Sequence, residues 1–140
     1  MPHTVLESIA TANPPLCKPQ AEAAAFMERI ERLPAPVRKR IGVLYARSGI
    51  DYRYSCVEDY AQQEAEAFTF YPKTWALEPA PTTRQRNAKY RQAVLPMAED
   101  AARSALAEAG VRPDEVTHVV AVSCTGFFAP GLDIELVKRL

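Results

Sequence analysis

The chain has 140 residues, and its 17 Lys and Arg balance 17 Asp and Glu, so the formal net charge is zero. Hydrophobic residues make up 48% of the chain and charged residues 24%, a composition that excludes intrinsic disorder. The balanced charge argues against a nucleic-acid partner, and no apolar run approaches the roughly 18 residues of a membrane span. We therefore expect one folded domain, or part of a larger one, with no nucleic-acid or membrane partner.

The cysteines bear on location and on metal binding. Cys17, Cys56 and Cys124 form no CxxC pair, and only His3 and His118 could assist them. A structural zinc site needs four nitrogen or sulfur ligands in closely spaced pairs, so we expect no metal site. An odd and sparse set of cysteines, without a signal peptide at the start, favours a cytoplasmic location.

The first half of the chain predicts short elements between proline-rich connections. Residues 4–10 mix apolar and polar side chains as a strand does. A helix is expected from about 19 to 33, where apolar residues recur at spacings of three or four, and Pro34 ends it. A second short helix is expected over 37–46. The apolar stripe of the first helix consists of Ala23, Phe26, Ile30 and Leu33.

Less regular structure is expected in the middle of the chain. Residues 50–57 suggest an extended or irregular piece, and residues 59–67 suggest one or two helical turns. Residues 69–83 are rich in proline and predict a loop packed by aromatic rings. These rings belong to Phe70, Tyr71 and Trp75.

The second half predicts a long helix, a buried strand, a loop and a further helix. The long helix is expected over 83–109, kinked or broken at Pro96 and stopped at Gly110. Residues 116–123 are mostly apolar and β-branched, which is typical of a strand buried on both faces, and residues 133–140 begin another helix. This order indicates an α/β fold. The expected buried face of the long helix carries Tyr90, Val94, Met97, Ala98, Ala101, Ala105 and Ala109.

The loop after the buried strand, residues 124–131, is the first place where chemistry is expected. Ligands of open α/β sheets collect beyond the carboxyl ends of the strands. The glycines of this loop permit unusual backbone angles, and its Ala129–Pro130 peptide bond can be cis. From spacing alone, a tight turn with a buried and inert Cys124 is favoured over a reactive site. His118 lies too far along the strand to pair with Cys124 as a nucleophile.

A basic segment is the second candidate site. If residues 37–48 are helical, Arg40 and Arg47 lie two turns apart on one face, where two guanidinium groups suit the phosphates of a nucleotide-like ligand. An ordinary solvated basic face is an equal alternative. The segment sets Arg38, Lys39, Arg40, Arg47 and Arg53 against Asp51 alone.

Four segments in order carry a family resemblance. They are Ala10-Thr11-Ala12-Asn13-Pro14-Pro15, Arg47-Ser48-Gly49-Ile50 running into Arg53-Tyr54, the alanine-rich helix with Pro96 before Gly110, and Thr117-His118 leading to Cys124-Thr125-Gly126-Phe127-Phe128-Ala129-Pro130-Gly131-Leu132-Asp133. Over essentially its whole length, the chain resembles the type III polyketide synthases, the chalcone and stilbene synthase family. It is more similar to bacterial members than to plant members.

The resemblance implies a fold, an assembly and a reaction. The fold is the N-terminal part of a thiolase-like α/β fold, as a domain over residues 1–140, and the assembly is a homodimer. The reaction is an acyl transfer in which malonyl-CoA units condense, with loss of CO2, onto an acyl-CoA starter. The substrates are CoA thioesters, and no cofactor is tightly bound. The family's catalytic Cys, His and Asn are expected beyond Leu140, so this chain by itself is expected to be inactive.

The resemblance also implies roles for single residues. Arg40 and Arg47 match basic positions that hold the CoA phosphates, while Val43 stands at a third position that is basic in the family. Ala129 matches a residue that crosses the dimer interface into the partner's cavity, and a cis proline, here Pro130, follows it. A small side chain at this position would leave room for a longer or bulkier product. The residues expected to line or shape the substrate cavity are Cys124, Thr125, Phe127 and Phe128.

Two alternatives remain open. A ketoacyl-carrier-protein synthase III has a related fold and would need a carrier-protein partner, although the Gly-x-x-x-Pro-Gly-x-Asp spacing favours the polyketide family. A truncated interaction module without catalysis would end naturally after Leu140 and show no condensing activity.

Overall fold

A computed structural model describes residues 3–140, which form two compact units. The first unit is Pro14–Thr83, and the second joins residues 3–13 to Arg84–Leu140. Each unit has its own secondary structure and its own packing. No helix among the described residues is long and apolar enough to cross a membrane.

A two-stranded antiparallel sheet and two helices build the first unit. The two strands pair with Leu16 opposite Ser55 and Pro19 opposite Tyr52. The predicted second helix, the extended piece and the helical turns are confirmed. The elements in chain order are β1 (Leu16–Pro19), α1 (Gln20–Glu28), α2 (Ala35–Ala46), β2 (Tyr52–Ser55) and the 3-10 turns Glu58–Ala61 and Ala65–Ala67.

Helix α1 ends at Glu28, before the expected end at residue 33. The N–H of Ile30 donates to the carbonyl three residues earlier, at 3.3 Å, which tightens the last turn. The next donor leaves the helical pattern, because the N–H of Glu31 donates to the carbonyl of Trp75 at 3.0 Å. A tertiary contact with the aromatic loop therefore decides where this helix ends.

The core of the first unit is aromatic. The ring centroids of Phe26 and Phe68 each lie 5.1 Å from that of Trp75, both in edge-on arrangements that aromatic pairs favour. Tyr71 also packs against this cluster. The prediction of a loop packed by aromatic rings is therefore confirmed. The buried residues of the cluster are Phe26, Ile30, Ala65, Phe68 and Leu77.

A buried carboxylate holds the aromatic loop. Asp59 is 0% exposed, and its Oδ1 accepts hydrogen bonds from the N–H and the hydroxyl of Thr69 at 2.8 and 3.0 Å. Its Oδ2 accepts from the N–H groups of Phe70 and Tyr71 at 3.0 and 2.7 Å. Burial alone raises the pKa of Asp59, but these donors favour the charged form more strongly and hold the pKa below its usual value.

One long helix dominates the second unit. Helix α3 spans Thr83–Ala109, the predicted bounds, and Gly110 follows it with a φ of +66°, as a left-handed helix end requires. Of the predicted kink or break at Pro96, the break does not occur: the helix continues through this exposed proline, which removes one N–H donor while the remaining bonds of the helix persist. The residues of the expected core face are half-buried, and none is fully buried. A 3-10 turn follows at Pro113–Glu115.

Both strands predicted for the second unit are wrong. Residues 4–10 and 116–123 form no strand in the described chain. The side chains expected to be buried on both faces are open, with Val120 86% and Val122 90% exposed. A strand needs a neighbour to take up its N–H and C=O groups, and no segment of this unit pairs with these residues.

The last predicted helix is confirmed as α4 (Leu132–Arg139). Glu99 of α3 ties the two helices together, with Oε2 3.0 Å from Nη1 of Arg139 and Oε1 3.0 Å from Nη2 of Arg103. Hydrogen bonds from Arg139 and then Arg103 lower the pKa of Glu99. Leu136 is the one residue of α4 that is buried.

Candidate functional site

Polar side chains of α3 hold the start of the loop at residues 124–131. The hydroxyl of Tyr90 donates to Oγ of Ser123 at 2.7 Å, and that hydroxyl in turn donates to the carbonyl of Gly126 at 3.2 Å. The N–H of Phe127 donates to Oδ1 of Asn87 at 3.4 Å. One helix face is thus hydrogen-bonded to Ser123 and Phe127, and Ser123 extends this link to Gly126.

Aromatic contacts continue this arrangement. The ring centroids of Tyr90 and Phe128 lie 6.2 Å apart, and the guanidinium of Arg91 lies 5.2 Å from the centroid of the Phe128 ring. A methyl group at Gly126 would overlap the ring of Tyr90, with Cδ2 only 2.9 Å away. Glycine is therefore required at this position by close approach rather than by backbone angle.

The loop and α3 enclose a recess of about 250 Å³. Phe127 and Phe128 both line it, and Phe127 remains 76% exposed. Cys124 and Thr125 are exposed and do not line this recess, so their expected place on a cavity wall stays a prediction. The peptide bond before Pro130 is cis, as the resemblance implied.

The basic segment lies on α2 and at its end. Arg40 and Arg47 are both exposed, and their side chains form no hydrogen bond or ion pair with residues 3–140. Val43 between them is 53% exposed. Arg53 differs, because its Nε donates to Oε1 of the buried Gln20 at 2.7 Å. The guanidinium of Arg53 is therefore already held by contacts within the first unit. Those of Arg40 and Arg47 are exposed and could contact a ligand.

Gln20 is the hub of the network that holds Arg53. Its Nε2 donates to Oγ of Ser48 at 2.6 Å and to the carbonyl of Tyr45 at 3.2 Å. The guanidinium of Arg53 lies 4.9 Å from the centroid of the Tyr45 ring. These contacts join the end of α2 to the first residue of α1 and, through Arg53, to β2.

Comparison with known proteins identifies the family. The model of the N-terminal domain of chalcone and stilbene synthases matches residues 2–140. The chain belongs to the chalcone and stilbene synthase family. Its fold is therefore the thiolase-like α/β fold of type III polyketide synthases, as expected, and the match covers the N-terminal domain of that fold.

Individual relatives agree with this assignment. The chain is 32% identical over 136 residues to the "Alpha-pyrone synthesis polyketide synthase-like Pks18" of Mycobacterium tuberculosis, covering 97% of this chain and 32% of the relative. It is 28% identical over 127 residues to the "Acylalkylpyrone synthase csyB" of Aspergillus oryzae, covering 89% of this chain and 29% of the relative. The chain therefore spans about a third of the length of the curated relatives it matches.

A solved structure agrees as well. PKS-I from the brown alga Ectocarpus siliculosus superposes with a TM-score of 0.82 at 33% identity, over 97% of this chain and 36% of that chain. A fungal type III polyketide synthase, ORAS, superposes with a TM-score of 0.67 at 21% identity, which supports the fold alone.

Sequence reasoning found both candidate segments of this chain but missed the residues that hold the loop. The sequence places Tyr90 on a buried helix face, whereas in the structure its hydroxyl donates to Ser123 at the start of the loop. No sequence pattern predicts that Asn87 contacts the loop. The helical spacing of Asn87, Tyr90 and Arg91 was visible in the sequence, but their contact with residues 123–128 depends on tertiary packing. Among residues 3–140, no three His, Cys, Asp or Glu side chains group closely enough to hold a metal ion.

Proposed function

We propose that the chain is part of a type III polyketide synthase that transfers acyl groups from CoA thioesters. In this reaction malonyl-CoA loses CO2, and the resulting carbanion attacks the carbonyl carbon of an acyl thioester, so that a carbon–carbon bond forms, the carbon–sulfur bond breaks and the thiolate leaves. The observation that carries the proposal is the family match over residues 2–140, which includes the whole loop at 124–131. The catalytic Cys, His and Asn of the resemblance match none of these positions, so the chain's contribution is binding and cavity shape.

The names of the relatives support a proposal for the product class. Two of them are named for α-pyrone synthesis and for acylalkylpyrone synthesis. We therefore propose an acyl-CoA starter with a straight chain and a pyrone product. The exposed Phe127 and the small Ala129 support this choice, because an apolar wall with an open position suits an alkyl chain.

Arg40 and Arg47 are proposed to bind the phosphates of CoA. Both guanidinium groups are exposed and form no ion pair among residues 3–140, so binding a phosphate breaks no existing interaction. Guanidinium groups bind phosphate oxygens through paired charge-assisted hydrogen bonds. The exposed Val43 between them carries no charge, so we assign the phosphate contacts to these two arginines.

Ala129 and cis Pro130 are proposed to lie at the interface of a homodimer. Both residues are exposed in the described chain. Phe127, also exposed, lies two residues before Ala129 and would face the same cavity. The partner subunit would then cover surface that an isolated copy leaves open.

The test compares malonyl-CoA with malonyl-N-acetylcysteamine, a truncated thioester that lacks the nucleotide of CoA and with it all of the phosphates. The protein is expressed from the complete gene that encodes this sequence, and turnover of malonyl-CoA with straight-chain acyl-CoA starters is followed by mass spectrometry. In Arg47→Ala the KM for malonyl-CoA should rise about ten- to hundredfold, since a lost charge-assisted hydrogen bond costs roughly 1.5–3 kcal/mol and about 1.4 kcal/mol is a factor of ten. The KM for malonyl-N-acetylcysteamine, which lacks the phosphates, should not change.

The control is Arg84→Ala, an exposed arginine at the start of α3. Equal effects of the two variants on the KM for malonyl-CoA would exclude the phosphate role of Arg47. A wild-type protein that forms no polyketide from any starter of the series would exclude the proposed reaction.

A further inference from the structure

Helix α3 provides the side chains that hold the loop at residues 124–131. We propose that Tyr90 is a positioning residue that sets the place of Phe127 and Phe128 and thereby the length of the product. This inference rests on the proposed function, since it gives the loop the role of a cavity wall. It assigns the control of that wall to a residue outside the loop.

The loop has little support of its own. Among the described residues, no main-chain hydrogen bond joins one residue of 117–130 to another backbone group. The bonds that fix its start come from side chains: Tyr90 to Ser123, Ser123 to Gly126, and Asn87 to Phe127. A change in these side chains therefore acts directly on the loop.

Tyr90 contacts the loop in two different ways. Its hydroxyl donates to Ser123, whose own proton is then directed at the carbonyl of Gly126, so one O–H orients the next. Its ring fills the space beside Gly126, where even a methyl group would overlap it. The hydroxyl fixes the start of the loop and the ring fixes how closely the loop approaches α3.

The position of the cavity phenylalanines follows from these contacts. Phe128 lies between the ring of Tyr90 at 6.2 Å and the guanidinium of Arg91 at 5.2 Å. Because Asn87, Tyr90 and Arg91 are spaced at i, i+3 and i+4, they share one face of α3 and contact the loop together. Phe127, next to Phe128, is left exposed along the recess. A shift of the Tyr90 contact would therefore move both rings.

The experiment separates the hydroxyl from the ring. Tyr90→Phe keeps the ring and removes the hydrogen bond, Ser123→Ala removes its acceptor, and Gln92→Ala is a control at an exposed position on the same helix. All are made in the protein expressed from the complete gene. Products from a series of straight-chain acyl-CoA starters and malonyl-CoA are separated by chain length, and hydrogen exchange is measured for a peptide spanning residues 123–128.

We expect Tyr90→Phe to change the ratio of the two main products by about three- to tenfold, the range that one hydrogen bond can account for. The KM for malonyl-CoA should stay within about twofold, since the loop is distant in sequence from the proposed phosphate residues and the hydroxyl makes no contact with them. Within 123–128 the amide of Phe127, which donates to Asn87, should exchange severalfold faster. The double variant Tyr90→Phe with Ser123→Ala should change the product ratio little further, because both substitutions remove the same hydrogen bond.

Three results would overturn the inference. An unchanged product ratio in an active Tyr90→Phe protein would remove Tyr90 from product control while leaving the proposed function intact. A similar change in Gln92→Ala would show a general effect of α3. A wild-type protein that makes no polyketide overturns the proposed function and the product role together, and unchanged exchange in Tyr90→Phe would then also exclude the loop contact.

Discussion

Replacement of Asp59 by Asn should strongly destabilise the first unit. The carboxylate accepts four hydrogen bonds, two on each oxygen, and it is 0% exposed. An amide keeps one oxygen and directs an NH2 group at the donors of the other. Two bonds to a charged acceptor are lost, at roughly 1.5–3 kcal/mol each, so we expect a loss of about 3–6 kcal/mol in the free energy of unfolding.

The assay is urea unfolding followed by circular dichroism, with hydrogen exchange at residues 69–71 as a local measurement. Asp51→Asn is the matched control, because Asp51 is exposed and lies in the same unit. We expect the amides of Thr69, Phe70 and Tyr71 to exchange faster in Asp59→Asn and to be unchanged in the control.

The same change predicts a pH dependence. Because the folded pKa of Asp59 lies below its unfolded value, its stabilising effect is fully present above the ordinary Asp pKa of about 4 and is lost as the pH falls through the folded value. The stability gap between wild type and Asp59→Asn should therefore be constant near neutral pH and narrow below about pH 4. A gap below about 1 kcal/mol at pH 7, or one that widens in acid, would refute the reasoning.

Two further stability changes are expected. Phe68→Ala should cost about 3–5 kcal/mol in urea unfolding, since Phe68 is 1% exposed and packs against Phe26 and Trp75; a cost near that of an exposed residue would contradict the described core. Gly126→Ala should cost about 1–3 kcal/mol in thermal unfolding because the new methyl group overlaps the ring of Tyr90, and the cost should shrink in the background of Tyr90→Ala; additive costs would show that the two residues do not touch.

The helices could be predicted from the sequence where their hydrogen bonds join residues close together in the chain. Helix α3 has the bounds read from the sequence, and its end at Gly110 needed only the preference of glycine for positive φ. Helix α1 ended early because the N–H of Glu31 binds the carbonyl of Trp75, a partner far along the chain. Of the kink or break predicted at Pro96, the break does not occur, because a proline removes one donor and the neighbouring bonds suffice to continue the helix.

The candidate site shows the same division. The segment with Arg40 and Arg47 and the loop at 124–131 could be found from residue types and spacing, and the family match then confirmed the resemblance. The contact of Tyr90 with Ser123 could not, because nothing in the spacing of these residues says that α3 and the loop meet.

The sequence by itself determined the family, the helices and the two candidate segments, because these follow from residue order and from bonds within a few residues. The tertiary structure decided the end of α1, the burial of Asp59 and the contacts that hold the loop. It also decided that residues 116–123, with every preference of a strand, form none here. A strand takes its hydrogen bonds from a neighbour, and a preference for extended backbone cannot supply that neighbour.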